Sequence, residues 1–370
     1  MLRLLGPRLF GRQSGRLLFA ALSALALVFC SGQNAQAQGC VASRQGVCVT
    51  GPHTPDAMWD SGSSSGESWL SPRRWQLSVD YRYFHSHRHF VGTEEQHERA
   101  AQRTEVNNKT HILNVAGTYE VNSRFNLTLS VPIFFSERFV QRTPDQVSHA
   151  NGIGDISVVG RMWLLRNPNE SRQNVSVGFG MKLPTGRSGV IDTVNTPQGP
   201  VTRVVDQSIQ PGDGGYGMVM DFQAYKAIKR TTLYASGLYL LNPRNTNGVL
   251  TGRSRPSEAV MSVADQYVYR AGAILPFPKV SSLVWSLGIR GEGVPSTDLI
   301  GKSDGFRRPG YITSVDPGLI FTRGKDRWYV NVPVAVRRNR TRSVPDIREN
   351  RHGDAAFADY TIMVGYSRRF

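Results

Sequence analysis

The chain has 370 residues, 44 Lys and Arg against 28 Asp and Glu, a formal charge of +16 and 39% hydrophobic residues. A mean hydropathy of −0.32 excludes a multi-helix membrane protein but not a membrane barrel, whose strands are apolar only on alternate residues. Three cysteines without a Cys-x-x-Cys pair exclude zinc-finger and thioredoxin-type centres, and 37 Gly and 20 Pro fall short of a collagen-like or disordered composition.

One stretch is continuously apolar, Leu17–Phe29, with Arg3, Arg8, Arg12 and Arg16 before it and Ala35-Gln36-Ala37 after it. A basic start, a short apolar run and a small-x-small cleavage site describe a secretory signal peptide over residues 1–37. The run is too short for a spanning helix, which needs roughly 20 residues. Residues 38–72 are rich in Gly, Ser and Pro and read as a flexible N-terminal segment. Within it, Cys40 and Cys48 are placed to form a local disulfide in an oxidising compartment.

After Pro72 the sequence alternates apolar and polar residues, the period of a half-buried strand. The first such segment sets Trp75, Leu77, Val79, Tyr81 and Tyr83 against Arg74, Gln76, Ser78, Asp80 and Arg82. The pattern predicts twelve strands, near 73–85, 109–121, 124–135, 153–165, 174–183, 214–226, 231–241, 262–275, 282–293, 309–321, 326–336 and 358–370. Phase is ambiguous in the eighth, around Ala264–Arg270. Connections alternate strictly between long and short. The short ones lie at Asn122-Ser123, 166–173, 227–230, 276–281 and 322–325.

An even number of antiparallel strands joined by short turns at one end and long loops at the other is the plan of an outer-membrane barrel. The expected fold is therefore all-β: a closed antiparallel transmembrane barrel of about twelve strands over residues 73–370, with short periplasmic turns and long extracellular loops. Closure is what lets β-structure cross hydrocarbon, because it satisfies every backbone donor and acceptor within the protein. Aromatic residues near strand ends (Trp75, Tyr83, Tyr119, Trp163, Tyr239, Trp328, Tyr360) suit girdles at the lipid–water boundaries. The last strand carries Tyr360, Ile362, Val364, Tyr366 and Phe370 on one parity. It resembles the terminal strand of outer-membrane barrels, which implies that barrel-insertion machinery reads the chain through Phe370.

At 152–186 the strings GIGDISVVGRMWLL and VSVGFGMKLPTG, followed by IQPGDGGYGMVMDFQAYK, resemble the outer-membrane transporter family of the MetA-pathway phenol-degradation type. The resemblance implies a barrel porin or transporter, often linked to aromatic or hydrophobic compounds. The residues themselves suggest a structural role: Gly152 and Gly154 permit a bend, and Pro184 ends a strand because it cannot donate to the ladder.

The phase of the strands turns Arg74, Asp80, Arg82, Asp155, Arg161, Lys182, Asp221, Arg290, Glu292 and Asp316 inward. Charge belongs on that side, since an arginine facing lipid costs roughly 2–4 kcal/mol at the midplane. Two readings stay open, a polar pore that concentrates anions and a lumen stitched shut by Arg–carboxylate pairs. Arginines outnumber lysines 37 to 7, and the segment 337–351 is the densest basic loop, suited to lipopolysaccharide phosphates. His85, His87 and His89 alternate and would share a face, where with His97 and Glu94 or Glu95 they could hold a divalent metal.

No nucleic-acid motif is present, and no GxSxG, HExxH, Walker or dinucleotide loop points to an enzyme. A rim site built on His111 with a Ser or Asp is the remaining enzymatic alternative. The sequence thus predicts a cofactor-free channel or transporter for small solutes in a Gram-negative outer membrane. The alternatives are an occluded barrel with a structural or lipopolysaccharide-binding role and a rim-site enzyme. Expected partners are membrane lipid, lipopolysaccharide, the insertion machinery and a small solute.

Overall fold

The dyad alternation becomes one sheet that rolls up and closes on itself. The computed structural model describes residues 74–165 and 171–370. The signal peptide read over 1–37, the segment 38–72 and the Cys40–Cys48 pair lie outside the described residues.

In chain order the strands begin with β1 (Trp75–Val91), the two-residue β2 (Glu94–Glu95), β3 (Val106–Glu120), β4 (Phe125–Val140), β5 (Thr143–Ile153) and β6 (Ser157–Trp163). They continue as β7 (Gln173–Lys182), β8 (Ile191–Thr196), β9 (Gly199–Val204), β10 (Gly217–Ile228), β11 (Thr231–Leu241), β12 (Thr246–Leu250) and β13 (Val260–Ser262). The last six are β14 (Gln266–Phe277), β15 (Val280–Val294), β16 (Gly310–Arg323), β17 (Asp326–Asn331), β18 (Val334–Arg340) and β19 (Ala355–Arg369).

Twelve wall positions form a closed antiparallel barrel: β1, β3, β4, β6, β7, β10, β11, β14, β15, β16, then β17 with β18, then β19. Closure is made by β19 pairing with β1 from Gln76↔Arg369 to Phe90↔Ala355. No edge of the wall is left to pair with another chain. β11 coincides with the strand predicted at 231–241, and β1 runs past 85 to Val91. The eleventh position departs from the prediction of one strand over 326–336. Pro333 has no N–H for the ladder, and the strand breaks there into β17 and β18. The carbonyl of Pro333 still accepts from Thr361 N (3.0 Å), so the wall continues across the break.

Short connections collect at one end of the barrel and long ones at the other. At the short-turn end Asn122 closes its turn by accepting from Arg124 N and Phe125 N, both 2.9 Å. The turn at Gly324 takes a φ of +59°, where a side chain would be strained. At the long-loop end β5 extends the pairing of β4, and β8–β9 and β12–β13 form separate hairpins. A short helix at Val344–Arg348 is started by a capping box between Ser343 and Asp346.

Burial is inverted relative to a soluble protein. In β7 the apolar Phe179 is 62% exposed and Met181 is exposed too, whereas Ser176 and Lys182 are buried. Leu129, Leu287, Ile289 and Leu319 likewise face outward. Trp75 packs on Tyr119 (5.0 Å between ring centroids), and Trp328 packs on Phe321 (5.5 Å) and Tyr366 (5.4 Å), forming aromatic contacts along the short-turn rim. Trp163 is a correction to the predicted girdle: it is buried and meets Tyr225 edge-on.

Candidate functional site

The inward positions of strands that are not direct neighbours bring opposite charges together. Arg82 on β1 reaches Glu292 on β15 with Nη2 at 2.8 and 3.1 Å from its oxygens, and Arg290 Nη2 donates to the same carboxylate at 2.9 Å. Asp80 accepts from the Tyr329 hydroxyl at 2.7 Å. Arg161 pairs with Asp221. Lys182 pairs with Asp213 and lies 3.5 Å from Asp155. Arg270 Nε donates to Asp316 at 2.8 Å, and Asn331 Nδ2 donates to the other oxygen at 3.0 Å. Arg270 settles the ambiguous phase of the eighth strand, since it is buried while Tyr269 faces out.

Nine of the ten residues predicted to line the lumen are thus held in ion pairs or hydrogen bonds within the barrel. Arg74 is the exception. It precedes β1 and donates to Val121 O (3.2 Å) beside the short turn between β3 and β4.

Several of these pairs skip a strand, and glycine makes that reach open. Arg161 and Asp221 both stand opposite Gly178 of the intervening β7, and a Cβ there would collide with the Asp221 carboxylate. Asp80 and Tyr329 both stand opposite Gly365 of β19, where a Cβ would meet the Tyr329 ring. The sequence carried this signal as an inward-phase glycine in an otherwise patterned strand, but only the register shows what it bridges.

The family-like strings converge at the long-loop end. Asp155 of GIGD accepts from Gly186 N of LPTG (3.0 Å) and from Asp213 N of PGDGG (3.2 Å). Thr185 Oγ1 donates to Gly154 O and accepts from Ile156 N, both at 2.9 Å. These motifs tie the tops of β6, β7 and β10 together.

The three histidines do not share a face. Two residues of β1 oppose one of β19 at His87, a bulge that rotates the strand by one phase. His85 and His87 stack with centroids 4.6 Å apart, and His85 Nε2 bonds Asn107 (2.8 Å). His89 turns inward, where its Nε2 accepts from Val106 N (2.9 Å). The proton therefore sits on Nδ1, which donates to Asp354 (2.6 Å). Both ring nitrogens of His89 are committed, Glu95 is taken by Arg88, and among the described residues no three His, Cys, Asp or Glu side chains are grouped to hold a metal ion. His111 bonds the Tyr81 hydroxyl (2.7 Å) and lies against Tyr83 (4.8 Å) on the outward side of the wall.

Above the interior ion pairs, the long loops enclose a cavity of about 710 Å³ whose lining includes seven arginines and three carboxylates. Asp206 holds or faces three of the lining arginines. It accepts from both terminal nitrogens of Arg308 at 2.7 Å and lies 3.6 Å from Arg138 and 3.9 Å from Arg253. Burial pushes its carboxyl up, but Arg138 and Arg308 outweigh burial and hold it well below the usual carboxylate range. Arg253 and Arg308 also approach the ring of Phe306, at 3.9 and 4.7 Å from its centroid.

Elsewhere in the lining Arg340, 2% exposed, donates through Nη2 to Asp346 (3.0 Å). Its Nε and Nη1 meet no acceptor among the described residues. The segment 337–351, read as the densest basic loop and suited to lipopolysaccharide phosphates, mostly pairs its arginines within the protein. Arg338 pairs with Asp359, Arg348 with Asp304, and Arg351 with Glu258 and Asp346.

No family model matches the chain, and no curated protein matches it. The family that the Gly-rich strings resemble is therefore not shown. Among solved structures, the COG4313 outer membrane channel from Pseudomonas putida F1 is similar at 11% identity and a TM-score of 0.52, over 83% of this chain and 100% of that one. The translocator domain of the autotransporter NalP from Neisseria meningitidis (12% identity, TM-score 0.41) covers 80% of this chain and 88% of its own. The Pseudomonas putida toluene transporter TodX (8% identity, TM-score 0.41) covers 81% and 91%. The chain has an outer-membrane β-barrel fold.

Proposed function

We propose that the protein is an outer-membrane channel that passes small polar solutes through its lumen, with the long loops facing outward and the arginine-lined cavity as its outer vestibule. The observation that carries this reading is the charged girdle inside the wall. A barrel kept for anchorage alone is served at least as well by an apolar interior, because desolvating Arg and Asp is expensive even when they are paired. The apolar outer face supports contact with membrane lipid. The guanidinium-rich vestibule supports a polar cargo in place of the hydrophobic one that the family resemblance implies.

A second reading, the occluded barrel, is favoured by the near-complete burial of Arg270, Arg290 and Asp316. Reconstitution of the refolded full chain into planar bilayers and liposomes separates the two. A channel gives small current steps and admits small solutes, and both rise when the Arg161–Asp221 pair is removed as R161A/D221A. A correctly inserted barrel that passes neither current nor solute, before or after that double substitution, is an occluded one, and the transport reading is then withdrawn.

A further inference from the structure

We infer that the loop cavity is a binding site for a phosphate-type oxyanion, with Arg340 at its centre. The cavity collects arginines from five separate chain segments: Arg99 between β2 and β3, Arg138 at the end of β4, Arg253 with Arg255 before β13, Arg308 before β16, and Arg340 with Arg351 around the last long loop. Seven arginines against three carboxylates leave the lining net positive.

Most of these guanidinium groups are anchored from behind. Asp206 holds Arg308 and faces Arg138, while Asp346 holds Arg340 and Arg351. Anchoring of that kind fixes side chains that would otherwise lose rotamer freedom on binding, so the site is organised before a ligand arrives. Asp206 and Asp346 are themselves paired and hold the arginines together against their mutual repulsion.

Arg340 is the independent sign of a ligand. It is buried, yet two of its three nitrogens meet no acceptor among the described residues, and an ionised donor left in that condition is disfavoured unless an anion completes it. Gly353 lies beside it. A Cβ at that position would stand 3.0 Å from Arg340 Nη2, the nitrogen bonded to Asp346, so a side chain there would crowd the guanidinium group. A tetrahedral oxyanion offers several acceptors to guanidinium groups converging from different directions, which is the arrangement these segments provide. The same chemistry is carried by a soluble phosphorylated solute and by a lipopolysaccharide phosphate.

The inference shares the vestibule with the channel reading but concerns equilibrium binding, so it can fail while conductance persists, and the reverse. The test uses the full mature chain, refolded in lipopolysaccharide-free detergent micelles, with inorganic phosphate titrated calorimetrically. Saturable binding is expected, weakening as sodium chloride rises, at least tenfold weaker in R340Q and two- to threefold weaker in R255Q, whose arginine is solvent-exposed and lines the same cavity. Folding of each variant is read from the shifted gel mobility of the unheated barrel. Should R340Q fail to fold, G353V serves in its place, since it crowds Arg340 while leaving every charge intact; it too should lose tenfold. Purified lipopolysaccharide that competes with phosphate assigns the site to a surface headgroup, and phosphate binding indifferent to it assigns the site to a soluble solute. Absence of saturable phosphate binding, or equal affinity in wild type and the folded Arg340 or Gly353 variant, overturns the inference.

Discussion

The Arg270–Asp316 pair offers the sharpest test of how far an interior ion pair is shielded from water in the lumen. Both side chains are fully buried, Arg270 donates through Nε and Nη2 to one oxygen of Asp316, and Asn331 occupies the other oxygen at 3.0 Å. Asp316→Ala removes the carboxylate and leaves a guanidinium in low dielectric beside an amide that keeps only the longer bond to Pro317 O (3.4 Å). Loss of one member of a buried pair costs about 3–5 kcal/mol, a change of roughly two to four powers of ten in the folding equilibrium. Urea titration of the barrel folded into lipid vesicles, followed by tryptophan fluorescence, measures this directly. Replacing both partners as R270M/D316L should recover most of the loss, because paired desolvation is then removed along with paired attraction. A penalty for Asp316→Ala below about 1 kcal/mol, the value of a solvated pair, would mean that water reaches Arg270. It would refute the reading of this one pair as shielded from the water of the lumen.

Three further outcomes are expected. Leu287 faces outward midway along β15, so Leu287→Arg should destabilise the vesicle-inserted barrel by about 2–4 kcal/mol; an unchanged urea midpoint would place that face away from hydrocarbon. Burial pushes the Asp354 carboxyl up, but the hydrogen bond from His89 and the Arg99 guanidinium outweigh it and hold it at about 2. A depressed carboxyl contributes stability that is complete above its ordinary range and is lost as pH falls toward 2. Pepsin should therefore cut the loop between β1 and β3 only as pH nears 2, whereas Asp354→Asn should be cut already near pH 4. Deleting Phe370, whose N–H donates to Trp75 O (3.0 Å) at the seam of the barrel, should lower assembly in cells several-fold. Refolding of the same variant into vesicles should be little changed, and equal assembly in cells would remove the terminal residue as a recognition signal.

The wall of this protein was legible in the sequence because its determinants are local. A strand in a lipid-facing barrel must put apolar residues on every second position, and that period survives without knowledge of any partner. β11 is read at its true limits for this reason, and β7 shows its outward Phe179 and Met181 and its inward Lys182 directly. The parity of Asp80, Arg82, Asp155, Arg161, Asp221, Arg290, Glu292 and Asp316 follows from the same rule.

What each inward charge faces is a matter of register, which a single strand does not contain. That Arg161 meets Asp221 across Gly178, or Arg82 meets Glu292 across a chain separation of 210 residues, emerges only when the sheet closes. Local irregularity is similarly hidden. The bulge at His87 moves His89 from the face it shares with His85 to the opposite one, and one extra residue suffices because the period is two. The arginine cavity is the extreme case. Loops have no period to read, so only the folded molecule brings Arg99, Arg253 and Arg308 around one space with Arg340 at the end of β18.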